Sequence, residues 1–172
     1  RLTQPSVSSL LSQVDTLLPG SDHLYDGDNA EAGKDDILVG EFVTIDLIAG
    51  GSWWSPIASI RNISSHGTTG GNDRIESTNG SDIQIGGAGS DTLLSGNGNS
   101  IQVGDHAAIT YNDSRDELTI ESNSSVGGDD TLNSGAGADI LVGGSGNDRL
   151  TAGNGDNIAL GDHGKVTVNA IT

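Results

Sequence analysis

A nine-residue pulse runs through most of this chain and leaves few folds open to it. In residues 127–162, GGDDTLNSGAGADILVGGSGNDRLTAGNGDNIALGD, the residues Asp130, Asp139, Asp148 and Asn157 stand nine apart. Two positions before each is a glycine (Gly128, Gly137, Gly146, Gly155), and two positions after each is Leu132, Leu141, Leu150 or Ala159. Closely spaced glycines permit positive φ and let neighbouring backbones approach. A short apolar-centred triplet such as Asp-Arg-Leu makes only a very short strand. An acid between turn and strand sets a carboxylate beside backbone carbonyls, the oxygen donors that a hard cation such as calcium takes. Two pulses make one eighteen-residue coil of turn, strand, turn, strand, and stacked coils bury a continuous core.

The pulse recurs in residues 70–105, at Asp73, Asp82, Asp91 and Ser100. A shift of 57 residues superposes this block on 127–162, including Gly104-Asp105-His106 on Gly161-Asp162-His163. Between the blocks, Ala108–Tyr111 and Glu117–Ile120 flank the turn-like run 112–116, which reads as a β-hairpin. Residues 41–69 repeat the design, with 42–48 and 57–63 as strands around Gly50-Gly51-Ser52. The larger unit is therefore four nonapeptides, or two coils, followed by one hairpin. Residues 20–69 form a partial unit, 70–126 a complete one, and 127–172 a unit cut before its return strand. Two coils advance by about 9.6 Å, which is also the width of a two-stranded hairpin. Hairpins leaving one side every two coils are thus predicted to abut as an additional sheet. Residues 20–40 are a degraded pair of repeats. Asp22 and Asp36 keep the acid-strand core but stand fourteen apart, with Asp26, Asp28 and Glu31 in the enlarged turn.

Gly86-Gly87-Ala88-Gly89-Ser90-Asp91-Thr92-Leu93-Leu94 and Gly143-Gly144-Ser145-Gly146-Asn147-Asp148-Arg149-Leu150-Thr151 match the nonapeptide G-G-x-G-x-D-x-U-x throughout. With these two runs the chain resembles the RTX, or hemolysin-type, calcium-binding repeat family over roughly residues 20–40, 70–105 and 127–162. The resemblance implies an all-β fold, a right-handed parallel β-roll or β-solenoid of eighteen-residue coils. It also implies several calcium ions in the turns and folding that depends on them. One edge of the roll would carry Asp22, Asp73, Asp91, Asp130 and Asp148. The other would carry Asp36, Asp82, Ser100, Asp139 and Asn157. Each ion would lie between successive turns, held by these aspartates and by carbonyls of the turn glycines, with Gly71, Gly80, Gly89, Gly128, Gly137 and Gly146 in the matching places. Asp73 with Asp91, and Asp130 with Asp148, form the best sites on that basis. Ser100 and Asn157 replace a carboxylate with a neutral oxygen, so their sites are expected to be weaker or absent. Read as mere turn formers, the aspartates would not need this spacing.

Composition agrees. Aromatics are 3%, cysteine and methionine are absent, and the net charge is −17. Such a balance usually signals disorder, but disorder gives no reason to hold aliphatics and aspartates in register. Carboxylates this dense repel one another in a compact fold unless cations neutralise them, so the chain is expected to be largely unfolded without calcium. Seven Lys and Arg scattered among 24 acids leave no basic stripe for nucleic acid, and no apolar run approaches a membrane span. The chain begins at Arg1, so a processed or partial polypeptide is expected, with any secretion signal outside it.

Residues 1–19 carry Leu10, Leu11, Val14, Leu17 and Leu18 at helical spacing between Pro5 and Pro19. They read as a short helix capping the roll or as an arm docking on a neighbour. Trp53 and Trp54 either pack over the hairpin sheet or stack on a surface glycan. His106 and His163 share one place in the unit and read as turn residues or, less simply, as zinc ligands. Sequons at Asn62, Asn79, Asn112 and Asn123 are glycosylation candidates for an exported product in a eukaryote. Signatures of hydrolases, nucleotide enzymes and zinc proteases are missing, so the chain is expected not to be an enzyme.

The expectation for function is a calcium-binding structural repeat protein of the cell exterior. It would be a segment of a long surface or adhesin-like protein, or a subunit of a head-to-tail filament built from copies of itself. The alternative is the calcium-dependent secretion and folding module of an RTX enzyme or toxin whose catalytic domain lies elsewhere.

Overall fold

The glycine-flanked triplets allow three-residue strands and little more, and the computed structural model shows that pattern. It describes residues 20–25, 35–47, 60–122 and 124–169. Among them every regular element is a strand and none is a helix. The early strands are β1 (His23–Tyr25), β2 (Ile37–Val39), β3 (Val43–Leu47) and β4 (Ile60–Ser65). The first full block supplies β5 (Arg74–Glu76), β6 (Ile83–Ile85), β7 (Thr92–Leu94) and β8 (Ile101–Val103), followed by β9 (Ala107–Tyr111) and β10 (Glu117–Ser122). The second supplies β11 (Thr131–Asn133), β12 (Ile140–Gly144), β13 (Arg149–Thr151), β14 (Ile158–Asp162) and β15 (Gly164–Asn169). The segment 1–19, the insertion carrying Asp26, Asp28 and Glu31, and the Trp53-Trp54 pair lie outside the described residues.

These strands form three sheets of five strands each: β1-β5-β7-β11-β13, β2-β6-β8-β12-β14, and β3-β4-β9-β10-β15. The first two are wholly parallel, with odd and even pulses sorted onto opposite walls of a roll. The third is antiparallel throughout and contains both hairpins.

The walls differ in how they are buried. The outer wall hides only its central residues, the column Leu24, Ile75, Leu93, Leu132 and the partly buried Leu150, which lines the interior of the roll. The middle wall is covered on both faces: Leu38 and Leu141 point into the roll, while Val39, Ile83, Ile85, Ile101, Val103, Ile140 and Val142 face the hairpin sheet. A parallel sheet buried on both faces favours strands apolar at nearly every position, hence ILV, IQI, IQV and ILV here against HLY, RIE, TLN and RLT outside. The hairpin sheet answers with a cross-strand row of Ile45, Ile63, Ile109, Ile120 and Val166. Two cores result, one inside the roll and a larger one between roll and hairpins.

Gln84 and Gln102 interrupt the inward column of the middle wall, fully buried. Gln102 Nε2 donates to Gln84 Oε1 at 2.8 Å, and Gln84 Nε2 donates to Ser77 Oγ at 3.1 Å and the Leu94 carbonyl at 3.0 Å. The pair links the two walls across the apolar interior.

Candidate metal centre

Each acid of the pulse sits where a turn becomes a strand, and the stacking of coils brings these acids into two files. On the first edge the backbone N–H of Asp22 donates to Asp73 Oδ1 at 2.8 Å, that of Asp73 to Asp91 at 2.7 Å, that of Asp91 to Asp130 at 2.7 Å, and that of Asp130 to Asp148 at 2.9 Å. Asp91 and Asp130 are direct neighbours although 39 residues apart, because the second hairpin is looped out between them. On the second edge Asp36 N–H donates to Asp82 Oδ1, Ser100 N–H to Asp139 Oδ1 and Asp139 N–H to Asn157 Oδ1, all at 2.9 Å. One oxygen of each acid is thus committed to the preceding coil.

The other oxygen points inward. Oδ2 of Asp91, Asp130, Asp139 and Asp148 is buried and meets no hydrogen-bond donor. On the first edge it shares a small space with a backbone carbonyl beside the first glycine of each turn. A Cβ built on Gly86 would stand 2.3 Å from Asp91 Oδ2 and 2.3 Å from the Gly104 carbonyl oxygen. On Gly104 it would stand 2.1 Å from Asp130 Oδ2 and 2.7 Å from Gly143 O, and on Gly143 it would stand 2.4 Å from both Asp148 Oδ2 and Gly161 O. These positions must be glycine because oxygens converge on the space a side chain would fill. The glycines two before each acid are constrained differently. Gly89 has φ +131°, and its Cβ would lie 1.8 Å from the carbonyl oxygen of Gly71, one coil earlier.

Burial makes the ionised form of Asp91 and Asp130 costly. Burial pushes the Asp91 carboxyl up to about 7; the Asp73 amide opposes this, and the charges of Asp73, Glu41 and Asp105 add to it. Burial likewise raises Asp130 to about 8, against the Asp91 amide and with the charges of Asp91, Asp105 and Asp148. Unpartnered buried carboxylate oxygens beside backbone carbonyls, of which that of Gly104 also accepts the Gly87 amide at 2.8 Å, fit a hard, oxygen-seeking cation. Among the described residues no three acid or histidine side chains could by themselves hold a metal ion, so carbonyls have to complete any ligand set.

The files weaken where the acid is replaced. The Ser100 hydroxyl is buried without a partner. Asn157 keeps the file's hydrogen bond, but its Nδ2 donates to the carbonyls of Gly153 at 3.0 Å and Gly155 at 3.3 Å. Its amide protons thereby satisfy turn oxygens of the kind that a cation would otherwise meet.

Two acids outside the nonapeptide stand in the first edge. Glu41 and Asp105, 3% and 0% exposed, each follow a glycine that ends a middle-wall strand where a hairpin leaves. The sequence signal is Gly-acid-ring: Gly40-Glu41-Phe42, Gly104-Asp105-His106, Gly161-Asp162-His163. The fixed nonapeptide spacing passes over it.

The remaining candidates are engaged locally. His163 Nε2 lies 2.8 Å from Ser145 Oγ and its Nδ1 3.2 Å from Ser122 Oγ, so a serine hydroxyl, and not a carboxylate, faces the second nitrogen. Burial and nearby His66 hold the His106 imidazole below its ordinary value. Asn62 accepts from Thr110 Oγ1, Asn79 accepts from Asn97, and Asn112 caps its turn by accepting from the amides of Asp116 and Glu117. Asn123 is outside the described residues.

Comparison with known families gives one match, to the RTX calcium-binding nonapeptide repeat, in four copies over residues 67–101 and 125–159. The chain carries RTX repeats. RTX repeats bind calcium, and the matched copies contain the turns in which the unpartnered oxygens of Asp91, Asp130, Asp139 and Asp148 lie. No curated protein and no solved structure gives a match. No helix among the described residues is long and apolar enough to cross a membrane.

Proposed function

We propose that this RTX chain is a calcium-loaded structural roll of the cell exterior, built to be extended end to end with adjacent repeats or with copies of itself. The reading is supported above all by the flush ends of the three sheets. Each has five strands, so β1, β2 and β3 lie together at one end and β13, β14 and β15 at the other. At the latter end Ile158 and Val168 are exposed, and open strand edges are templates for further pairing. RTX proteins are typically secreted, which agrees with a chain that has no cysteine.

On this reading the ions sit between successive turns of the first edge. Asp73, Asp91, Asp130 and Asp148 supply carboxylate oxygens, and carbonyls such as those of Gly104, Gly143 and Gly161 supply the rest. Asp82 and Asp139 serve the second edge, Asp22 and Asp36 the degraded first coil, and the turn at Asn157 needs no ion. Calcium supplies the positive charge that lets neighbouring coils stack. The role is non-catalytic, and the roll winds right-handed, as parallel crossovers do.

The test is a calcium titration of the full chain followed by circular dichroism and sedimentation. A cooperative gain of β signal with growth in mass supports the self-extending roll. A gain with a strictly monomeric product favours a module of a longer secreted protein, and no response to millimolar calcium removes the reading.

A further inference from the structure

The root of each hairpin holds a carboxylate that the nonapeptide does not account for. In an uninterrupted turn, residues 86–91, Gly87 follows the first glycine directly. In the interrupted turn Gly104 is followed by Asp105, then by the whole hairpin, and the turn resumes at Gly127-Gly128. Asp105 is fully buried across that gap. Its Oδ2 accepts the Ser145 amide of the next coil at 2.5 Å, and the Gly128 amide also favours the carboxylate, while Oδ1 is buried and makes no hydrogen bond of good geometry. Glycines line it on both sides: a Cβ on Gly127 would lie 1.8 Å from Oδ1, and one on Gly144 would lie 2.3 Å from Oδ2. Asp105 is also close enough to Asp91, Asp130 and Asp148 to repel them.

Glu41 has the same surroundings one unit earlier, although the first hairpin is longer. Its Oε1 accepts the Gly71 amide at 3.1 Å, and Gly70 and Gly87 pack against it as Gly127 and Gly144 pack against Asp105. Two hairpins of different length thus place an acid in one location. A side chain needed only to cap amides could be neutral, as Asn112 is in its own turn. Asp105 Oδ1, a buried and ionisable oxygen without a hydrogen bond, instead calls for a cation, and Glu41 follows by its matching place and glycine surroundings.

We propose that Asp105, and Glu41 in the preceding unit, are additional calcium ligands that couple the seating of each hairpin to the ion-filled edge of the roll. The proposal rests on the calcium reading above, and the experiment separates the two.

Calcium binding to the full chain is measured by titration calorimetry for the wild type, Asp105→Asn, Glu41→Gln and, as a charge control, Asp156→Asn on an exposed turn. The expected result is that D105N and E41Q each bind one ion fewer, or bind one class of ions at least tenfold more weakly, while D156N matches the wild type. If D105N does not fold in saturating calcium, E41Q alone decides. Wild-type ion number and affinity in D105N and E41Q would overturn the hairpin-root site and leave the calcium roll standing. A wild type that takes up no calcium would overturn both.

Discussion

A carboxylate in this roll has two oxygens with different tasks, and the division fixes what its replacement will do. In Asp130, Oδ1 holds the Asp91 amide at 2.7 Å and Oδ2 stands unpartnered beside a turn carbonyl. Asp130→Asn keeps an acceptor for the amide and removes the charge, so it should raise the calcium midpoint of folding at least several-fold, read by circular dichroism. Gly86→Ala places a methyl where Asp91 Oδ2 and Gly104 O converge. It should cost roughly 3 kcal/mol or more in calcium, and an unchanged urea midpoint would refute the cradle. The raised carboxyls of Asp91, about 7, and Asp130, about 8, also set a pH dependence. Their folded values lie above an unfolded value of about 3.9, so the protonated form favours folding. That contribution is complete below the unfolded value and is lost as pH rises through 7 and 8. In chelator the chain should therefore hold more β structure at pH 5 than at pH 8.5, and saturating calcium should abolish the difference. Greater stability at pH 8.5 in chelator would contradict the burial described. The acids of the nonapeptide were legible from their spacing alone. Glu41 and Asp105 were not, because a hairpin of variable length separates each from the turn it completes.

The two walls of the roll show how far a periodic pattern can be read. Spacing placed strands on every pulse, and strands stand there. It did not separate pulses buried on one face from pulses buried on two, although HLY or RLT against ILV or IQI carries that distinction. What covers the second face is a hairpin sheet contributed from elsewhere in the chain, and a window of nine residues does not contain it. For the same reason the Gln84–Gln102 pair went unread, since either residue alone looks like a polar lapse in a strand. In the fold Gln102 donates to Gln84 and both donate to the wall opposite. Gln84→Leu alone leaves the Gln102 amide only its longer hydrogen bond to the Asn133 carbonyl at 3.3 Å and should destabilise by about 1–3 kcal/mol. The double change to leucine should recover most of that loss, giving a favourable coupling in a urea-denaturation cycle. Additive losses would mean that the glutamines do not act as a pair. Leu93→Ala, in the filled interior column, should cost about 2–5 kcal/mol in the calcium-loaded state by the same assay.

Three sheets of five strands are joined by a repeating order of coil, coil, hairpin, and this order could be read from the 57-residue superposition in the sequence. That the three sheets end flush could not, because it depends on which strands stop together in space. A consequence of the acid files concerns direction. Along the first edge the acid's own amide is served by the carboxylate of the coil that follows it in the chain: Asp22 by Asp73, Asp91 by Asp130, Asp130 by Asp148. Removing a coil on the C-terminal side leaves its predecessor with a buried N–H that nothing in solution but water can satisfy. Removing one on the N-terminal side frees a carboxylate oxygen, which an ion can satisfy, and also strips the next strand of an acceptor, as Thr92 N–H loses the Asp73 carbonyl. Each coil is therefore clasped from both sides, its acid's amide by the carboxylate that follows and its strand amide by the carbonyl that precedes. A cut at either face bares a donor that only another coil or water can meet.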